Sequence, residues 1–270
     1  MGALLLMISM VTGSTLASTA TGLQPIPALV NHYAEEHLTR GGILVGVDVR
    51  GETHWYSSRN LTANTYFEIG SVTKTLTGML LAAEISAGRV TEETTVGELW
   101  PERSESTGAA ELAIPAVPED LSEVTVGQLA THTSGLPRVN LTPRRLVRAV
   151  LRQDDPYAGL TATDVYRDAA SASLSEPETF QYSNLGYALL GVLLAADSAE
   201  PSSYTEQYLD AVHAGVLAPL GLPRFSITTN SEELPTAYTV NGRRAEYWTF
   251  DGYAAAGGVV ASAADVLRWV

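Results

Sequence analysis

Cysteine is absent from the 270 residues of the chain, and lysine occurs once, at Lys74. Without thiols neither a disulfide framework nor a thiolate metal site can form, so the fold must hold by packing alone, and the count says nothing of redox compartment. Positive charge is scarce as well: 16 basic residues stand against 30 acidic ones, for a net charge of −14. That balance repels phosphate backbones and anionic membrane surfaces, so nucleic acid is not an expected partner. No run of eighteen consecutive apolar residues occurs either, which argues against a transmembrane span.

What is there suits a globular protein. At 45% hydrophobic residues and a mean hydropathy of +0.06, the chain can bury a sizeable core as one large domain or two interleaved lobes. Residues 1–20 combine a short apolar run with small residues at Ser18 and Ala20, the pattern of a secretory signal, although no basic residue precedes the run. Export to a secreted or periplasmic location is therefore expected, with a buried N-terminal segment as the alternative.

A coarse reading of the rest gives mixed order without repeats. Residues 25–37 read as a helix with Ile26, Leu29, Val30 and Tyr33 on one face, and GGILVGVDVRGETHWYSS reads as two strands joined at Arg50, Gly51 and Glu52. Helices are expected over RRLVRAVL after Thr142 and Pro143, over LGYALLGVLLAA from Asn184, and over TEQYLDAVHAGVLAPLG. Strand-like segments return at FSITT, TAYTV and EYWTF, and residues 102–123 read as a loop. Strands at both ends with helices between suggest a single α/β (α+β) domain over 21–270. Its α/β lobe would be built from about 24–80 and 223–270, with a helical lobe over about 81–222.

Three stretches carry chemistry. In FEIGSVTKTLTGMLLA, Ser71 follows Gly70 at the end of a β-like run, and Leu76, Met79, Leu80 and Ala83 after it have helical spacing, stopped by Gly88. Ser71 and Lys74 are then one helical turn apart on one face. A serine hydroxyl needs a neighbour to take its proton, and a desolvated lysine can be that neighbour where an arginine cannot. With 21 serines in 270 residues, a lysine has one three places before it roughly one time in thirteen by chance, so an ordinary helix cap stays open on this stretch alone. In FQYSNLGYALLG, Tyr182 and Asn184 flank Ser183 before an apolar helix, where a phenol can shuttle a proton and an amide can bind both a substrate carbonyl and the lysine; the alternative is that Asn184 only caps its helix. In VTVGQLATHTSGLPR, His132 lies in a turn after a helix with no acid at a suggestive spacing, and is read as structural.

Ser71-x-x-Lys74, THTSGLP at 131–137, Tyr182–Ser183–Asn184 and AAGGVVASAADVLRW at 255–269 together resemble the serine β-lactamase and penicillin-binding-protein superfamily. Within it, the match is to the branch of class C β-lactamases, D-alanyl-D-alanine carboxypeptidases and family VIII esterases, over roughly residues 26–270. The resemblance implies an antiparallel sheet flanked by helices, packed on an all-helical lobe with the active site between them. It makes Ser71 the acylated nucleophile and source of one oxyanion N–H, Lys74 the proton acceptor, Tyr182 an aid to acylation and deacylation, and Asn184 the residue that positions substrate amide and lysine. A monomer is expected, with no metal and no cofactor. The family's third motif, a Lys, His or Trp two places before a Gly on a later strand, is not found in the 86 residues after Asn184 (270 − 184). His213–Ala214–Gly215 is not accepted for it, because it falls in an amphipathic helical segment. The expectation is a C-terminally truncated enzyme sequence with its last strands missing, acting on β-lactam, D-Ala-D-Ala peptide or ester substrates. The alternatives are a non-catalytic penicillin-binding or sensor module and an inactive fragment.

Overall fold

The computed structural model describes residues 25–38, 40–101, 114–140, 155, 157–176, 178–195, 204–223, 225–227, 234–238 and 242–269, and the backbone of 3–9. The chain divides into two compact units. The first comprises Met1–Glu68, Asn230–Tyr247 and Val260–Val270, the second Ile69–Thr229 and Trp248–Val259.

In the first unit strand β1 (Ala3–Ser9), the apolar run expected as a secretory signal, pairs parallel with β2 (Gly42–Val49). Between them in sequence comes helix α1 (Ile26–His37). β2 pairs antiparallel with β3 (Glu52–Ser57). Arg50 and Gly51, both at positive φ (57° and 83°), make a two-residue turn whose twist suits the hairpin. Asp48 fixes the turn by accepting from the Gly51 N–H and the Thr53 hydroxyl. The apolar run GILVGV in β2 is continuous because both faces of the strand are covered. Ile43, Val45 and Val47 pack with Val30 and Ala34 of α1, whereas Leu44 packs with Phe67 and Ala263. Gly46 has no freedom to carry a side chain, since a Cβ there would stand 2.5 Å from the Trp55 ring. Further on, β4 (Tyr66–Glu68) pairs antiparallel with β5 (Val259–Ser262), which leads into a closing helix, Ala263–Trp269.

α1 departs from its expected face. Its buried residues are Val30 and Ala34, with Ile26 and Leu38 packed beside them, a row of fourth residues, and Leu29 and Tyr33 lie outside that row at 61% and 47% exposure.

The second unit is helical. After the 3-10 turn Gly70–Val72 come α2 (Thr73–Ser86), a helical turn at Val96–Leu99 and another at Glu119–Ser122. α3 (Val126–Ala130), α4 (Ala162–Ala170), α5 (Asn184–Ala195) and α6 (Tyr204–Val212) follow. Threonine hydroxyls at Thr95, Thr125 and Thr161 cap three of these starts, and each threonine N–H in turn donates to the side chain three residues on. α5 is buried on every side from Leu185 to Val192, as a helix apolar all round must be. The helical turn Ala254–Gly257 lies so close to it that a Cβ on Gly191 would stand 2.1 Å from the Ala255 Cβ and 2.7 Å from the Tyr204 hydroxyl. G191A is accordingly expected to lower stability by about 1–3 kcal/mol, read as a shift of the urea midpoint at constant slope. A midpoint at or above that of the parent would mean the contact relaxes freely.

Two expected elements differ. EYWTF (246–250) forms no ladder, because the Thr249 N–H and hydroxyl go to the Asp155 carboxylate and the rings of Trp248 and Phe250 pack on Tyr157. The loop read over 102–123 contains the helical turn Glu119–Ser122, and its residues 102–113 lie outside the described residues. The expected helix over RRLVRAVL and part of TAYTV also lie outside them, with Tyr238 making one antiparallel bridge to Arg244. Of FSITT, Ser226–Ile227 is a strand. Among the described residues no helix is long and apolar enough to cross a membrane.

Candidate active site

All four residues singled out by sequence converge within the second unit. Gly70, at φ 53°, turns the chain out of β4, and the 3-10 turn lifts Ser71 into an exposed position one turn ahead of Lys74, which is 6% exposed. Lys74 Nζ lies 3.3 Å from Ser71 Oγ, 2.9 Å from Asn184 Oδ1 and 2.5 Å from the Ala256 carbonyl oxygen. The Tyr182 hydroxyl lies 2.7 Å from Ser71 Oγ.

Those three contacts constrain the amine. Asn184 Oδ1 and Ala256 O can only accept, so each must receive an N–H from Lys74. An ammonium would spend its third N–H on Ser71, whereas a neutral amine keeps its lone pair facing the serine hydroxyl. Burial pushes the Lys74 pKa below the ordinary lysine value. The neighbouring Tyr182 opposes the fall, and the positive charge of Arg138 adds to it. The neutral form is thereby brought nearer to the pH range in which a base is useful.

Tyr182 is shifted the same way by a balance of opposite effects. Desolvation raises its phenol, but hydrogen bonding to Lys74 and Ser71 and the charges of Lys74 and Arg138 outweigh it and leave the group below its ordinary value. The Lys74 Nζ stands 4.9 Å from the centroid of the Tyr182 ring and 5.5 Å from that of Tyr187.

Local structure explains why Asn184 is available for this. Ser183, rather than Asn184, caps α5: its hydroxyl accepts from the Gly186 N–H at 2.7 Å and donates to the Pro137 carbonyl at 2.7 Å. The Asn184 amide is left to bridge Lys74 through Oδ1 and the Tyr157 hydroxyl through Nδ2, at 2.9 Å each. Tyr157 is buried, its phenol raised chiefly by desolvation, and its ring is stacked with Phe250 at 5.1 Å between centroids.

His132 stands behind this array. It follows α3 at φ 62°, and its Nδ1 accepts the Ser183 N–H at 3.1 Å, which requires the neutral ring that burial, and then the Lys74 charge, favour. Its ring lies 4.5 Å from that of Tyr182 and 4.9 Å from that of Tyr187. His213–Ala214–Gly215 sits in the helical segment His213–Leu217 that continues α6. No group of three or more His, Cys, Asp or Glu able to hold a metal ion occurs among the described residues.

Tyr157, Arg138 and the Ala256 carbonyl escaped the sequence reading. Of the three, only Ala256 carried a signal, its place in the AAGG segment.

A family model described as beta-lactamase matches residues 30–270, and the chain belongs to that family. Among solved structures, a class C beta lactamase from Rhodobacter sphaeroides is similar at 23% identity and a TM-score of 0.65, over 90% of this chain and 63% of that one. A second class C beta lactamase matches at 20% identity and a TM-score of 0.65, over 91% and 63%. A D-amino acid amidase from Ochrobactrum anthropi SV3 matches at 21% identity and a TM-score of 0.64, over 90% and 68%. The chain thus spans less than two thirds of the length of both class C enzymes, and at these identities the likeness establishes the fold. No curated protein matches the chain.

Proposed function

We propose that the protein is a serine hydrolase of the beta-lactamase and amidase kind, working through an acyl-enzyme at Ser71. The observation that carries this reading is the saturation of Lys74 by two pure acceptors and one hydroxyl, which points an amine lone pair at Ser71. Ser71 Oγ attacks the substrate carbonyl as its proton passes to Lys74 Nζ. The Tyr182 hydroxyl, bonded to the same oxygen, then gives its proton to the leaving group as the acyl bond breaks and is reprotonated at the expense of the Lys74 ammonium; in deacylation the attacking water gives its proton to the Lys74–Tyr182 pair, which returns one to Ser71 Oγ as the acyl chain leaves. The Ser71 backbone N–H, at the start of a helix, supplies a donor for the developing oxyanion. Lactam, D-amino acid amide and ester substrates all fit this chemistry, and the names of the structural neighbours favour amide-type bonds.

Intact-mass spectrometry with a fluorophosphonate and with a penicillin tests the site on the chain and on Ser71→Ala. One adduct on the parent and none on the variant is expected. An adduct that persists in Ser71→Ala would refute the assignment. A penicillin adduct that forms at Ser71 and is never released would assign a binding module in place of a hydrolase.

A further inference from the structure

Beside the Ser71 array stands a cation the mechanism does not use. Among the described basic side chains of the second unit, Arg89 is paired with Glu84, Arg167 with Asp164, and Lys74 is enclosed by its three acceptors. Arg138 is exposed and has no carboxylate partner among the described residues. Its guanidinium carbon lies 5.3 Å from the centroid of the Tyr182 ring, and the Tyr182 hydroxyl is itself 2.7 Å from Ser71 Oγ. One side chain therefore separates this charge from the nucleophile.

The backbone that carries it is held in place. The Arg138 carbonyl accepts the N–H groups of Asn184 and Leu185 at 2.9 and 3.2 Å, and the preceding Pro137 carbonyl accepts the Ser183 hydroxyl. Arg138 is thus stapled to the turn that presents Tyr182 and Asn184, and its side chain projects from a fixed root. In a protein of net charge −14, an exposed guanidinium beside Tyr182, with no carboxylate partner among the described residues, marks a place where an anion is attracted instead of repelled. A guanidinium also matches the planar fork of a carboxylate, which it can bind through two N–H groups.

We propose that Arg138 is a specificity-determining residue whose guanidinium takes a carboxylate carried by the substrate that acylates Ser71. The proposal rests on the reading of Ser71 as nucleophile and adds to it a substrate class, anionic acyl donors.

The test compares two esters that differ in one charge, p-nitrophenyl hydrogen glutarate and p-nitrophenyl methyl glutarate. The quantity read is the ratio of kcat/KM for the anionic ester to that for the neutral one, which cancels any effect of Arg138 on Tyr182 and Lys74 common to both. Arg138→Gln is expected to lower the ratio by about tenfold to a hundredfold, the range of one charge-assisted hydrogen-bond pair. Arg138→Glu should lower it further, and Arg138→Lys, which keeps the charge, should keep most of it. A ratio unmoved in Arg138→Gln overturns the proposal, and so does an equal fall for both esters, which would make Arg138 a tuning residue only. A second measurement does not depend on turnover: phenylglyoxal modification of Arg138, followed by peptide mass spectrometry, should be slowed by glutarate and not by dimethyl glutarate. If no fluorophosphonate adduct forms at Ser71 while glutarate still protects Arg138, the nucleophile assignment fails and the anion site stands. If glutarate gives no protection, the anion site fails.

Discussion

Lys74→Arg is expected to slow acylation of Ser71 by roughly 10³-fold, within the range for loss of a general base, even though the positive charge is kept. A guanidinium has no accessible lone pair near neutral pH, so it cannot take the serine proton. Its flat fork also cannot satisfy Asn184 Oδ1 and the Ala256 carbonyl from the single point that Nζ occupies, 2.9 and 2.5 Å from them. The pH dependence carries the sign. Burial holds the Lys74 pKa below its ordinary value of 10.5, so the acylation rate of the parent should rise with pH and level off before that value, as the neutral amine becomes the major form. Single-turnover labelling across pH reads both effects. A variant within tenfold of the parent, with the same rising limb, would remove Lys74 from the role of base. The same depressed pKa makes stability rise with pH between the folded and unfolded values, since the unfolded chain binds the extra proton there.

Tyr182→Phe is expected to cost about 10²-fold in turnover while leaving the melting temperature close to that of the parent. The ring contact with His132 does not need the hydroxyl, and one exposed hydrogen bond is worth at most about 1 kcal/mol in stability. The variant has a second signature. Because Tyr182 opposes the burial-driven fall of the Lys74 pKa, its removal should move the acid limb of the rate profile to lower pH. A limb that stays in place, or moves upward, would mean that the two groups do not interact as their geometry requires.

Short-range features of this protein were legible in the residues themselves; of the long-range ones, the approach of Tyr182 and Asn184 to Ser71 and Lys74 was reached only through the motif resemblance, and others were not legible. Three residues separate Ser71 from Lys74, and helical geometry alone makes them neighbours, at 3.3 Å. The turn at Arg50 and Gly51 was equally readable, because a glycine between two strand-like runs marks a hairpin, and both residues take the positive φ that such a turn needs. The cap of α5 sits between these cases. Ser183 and Asn184 are both good caps, and only the Pro137 carbonyl, which takes the Ser183 hydroxyl, decides between them. Tyr157 could not be found, since nothing near it in sequence hints that its hydroxyl meets Asn184, 27 residues on. EYWTF looked like a strand because its aromatic and β-branched residues favour one, yet Asp155, 94 residues earlier, takes the Thr249 N–H that a ladder would need.

The anchoring of Lys74 also has a temporal side. Its partner Asn184 lies 110 residues away and its partner Ala256 lies 182 residues away, so the amine is held only once both of those long loops have closed. Loop closure of that length is entropically expensive and comes late when a chain assembles through local contacts first. If Ser71 is the nucleophile proposed above, its reactivity becomes a clock for maturation: a brief pulse of fluorophosphonate during refolding is expected to mark only those molecules in which the far ends of the site have already met.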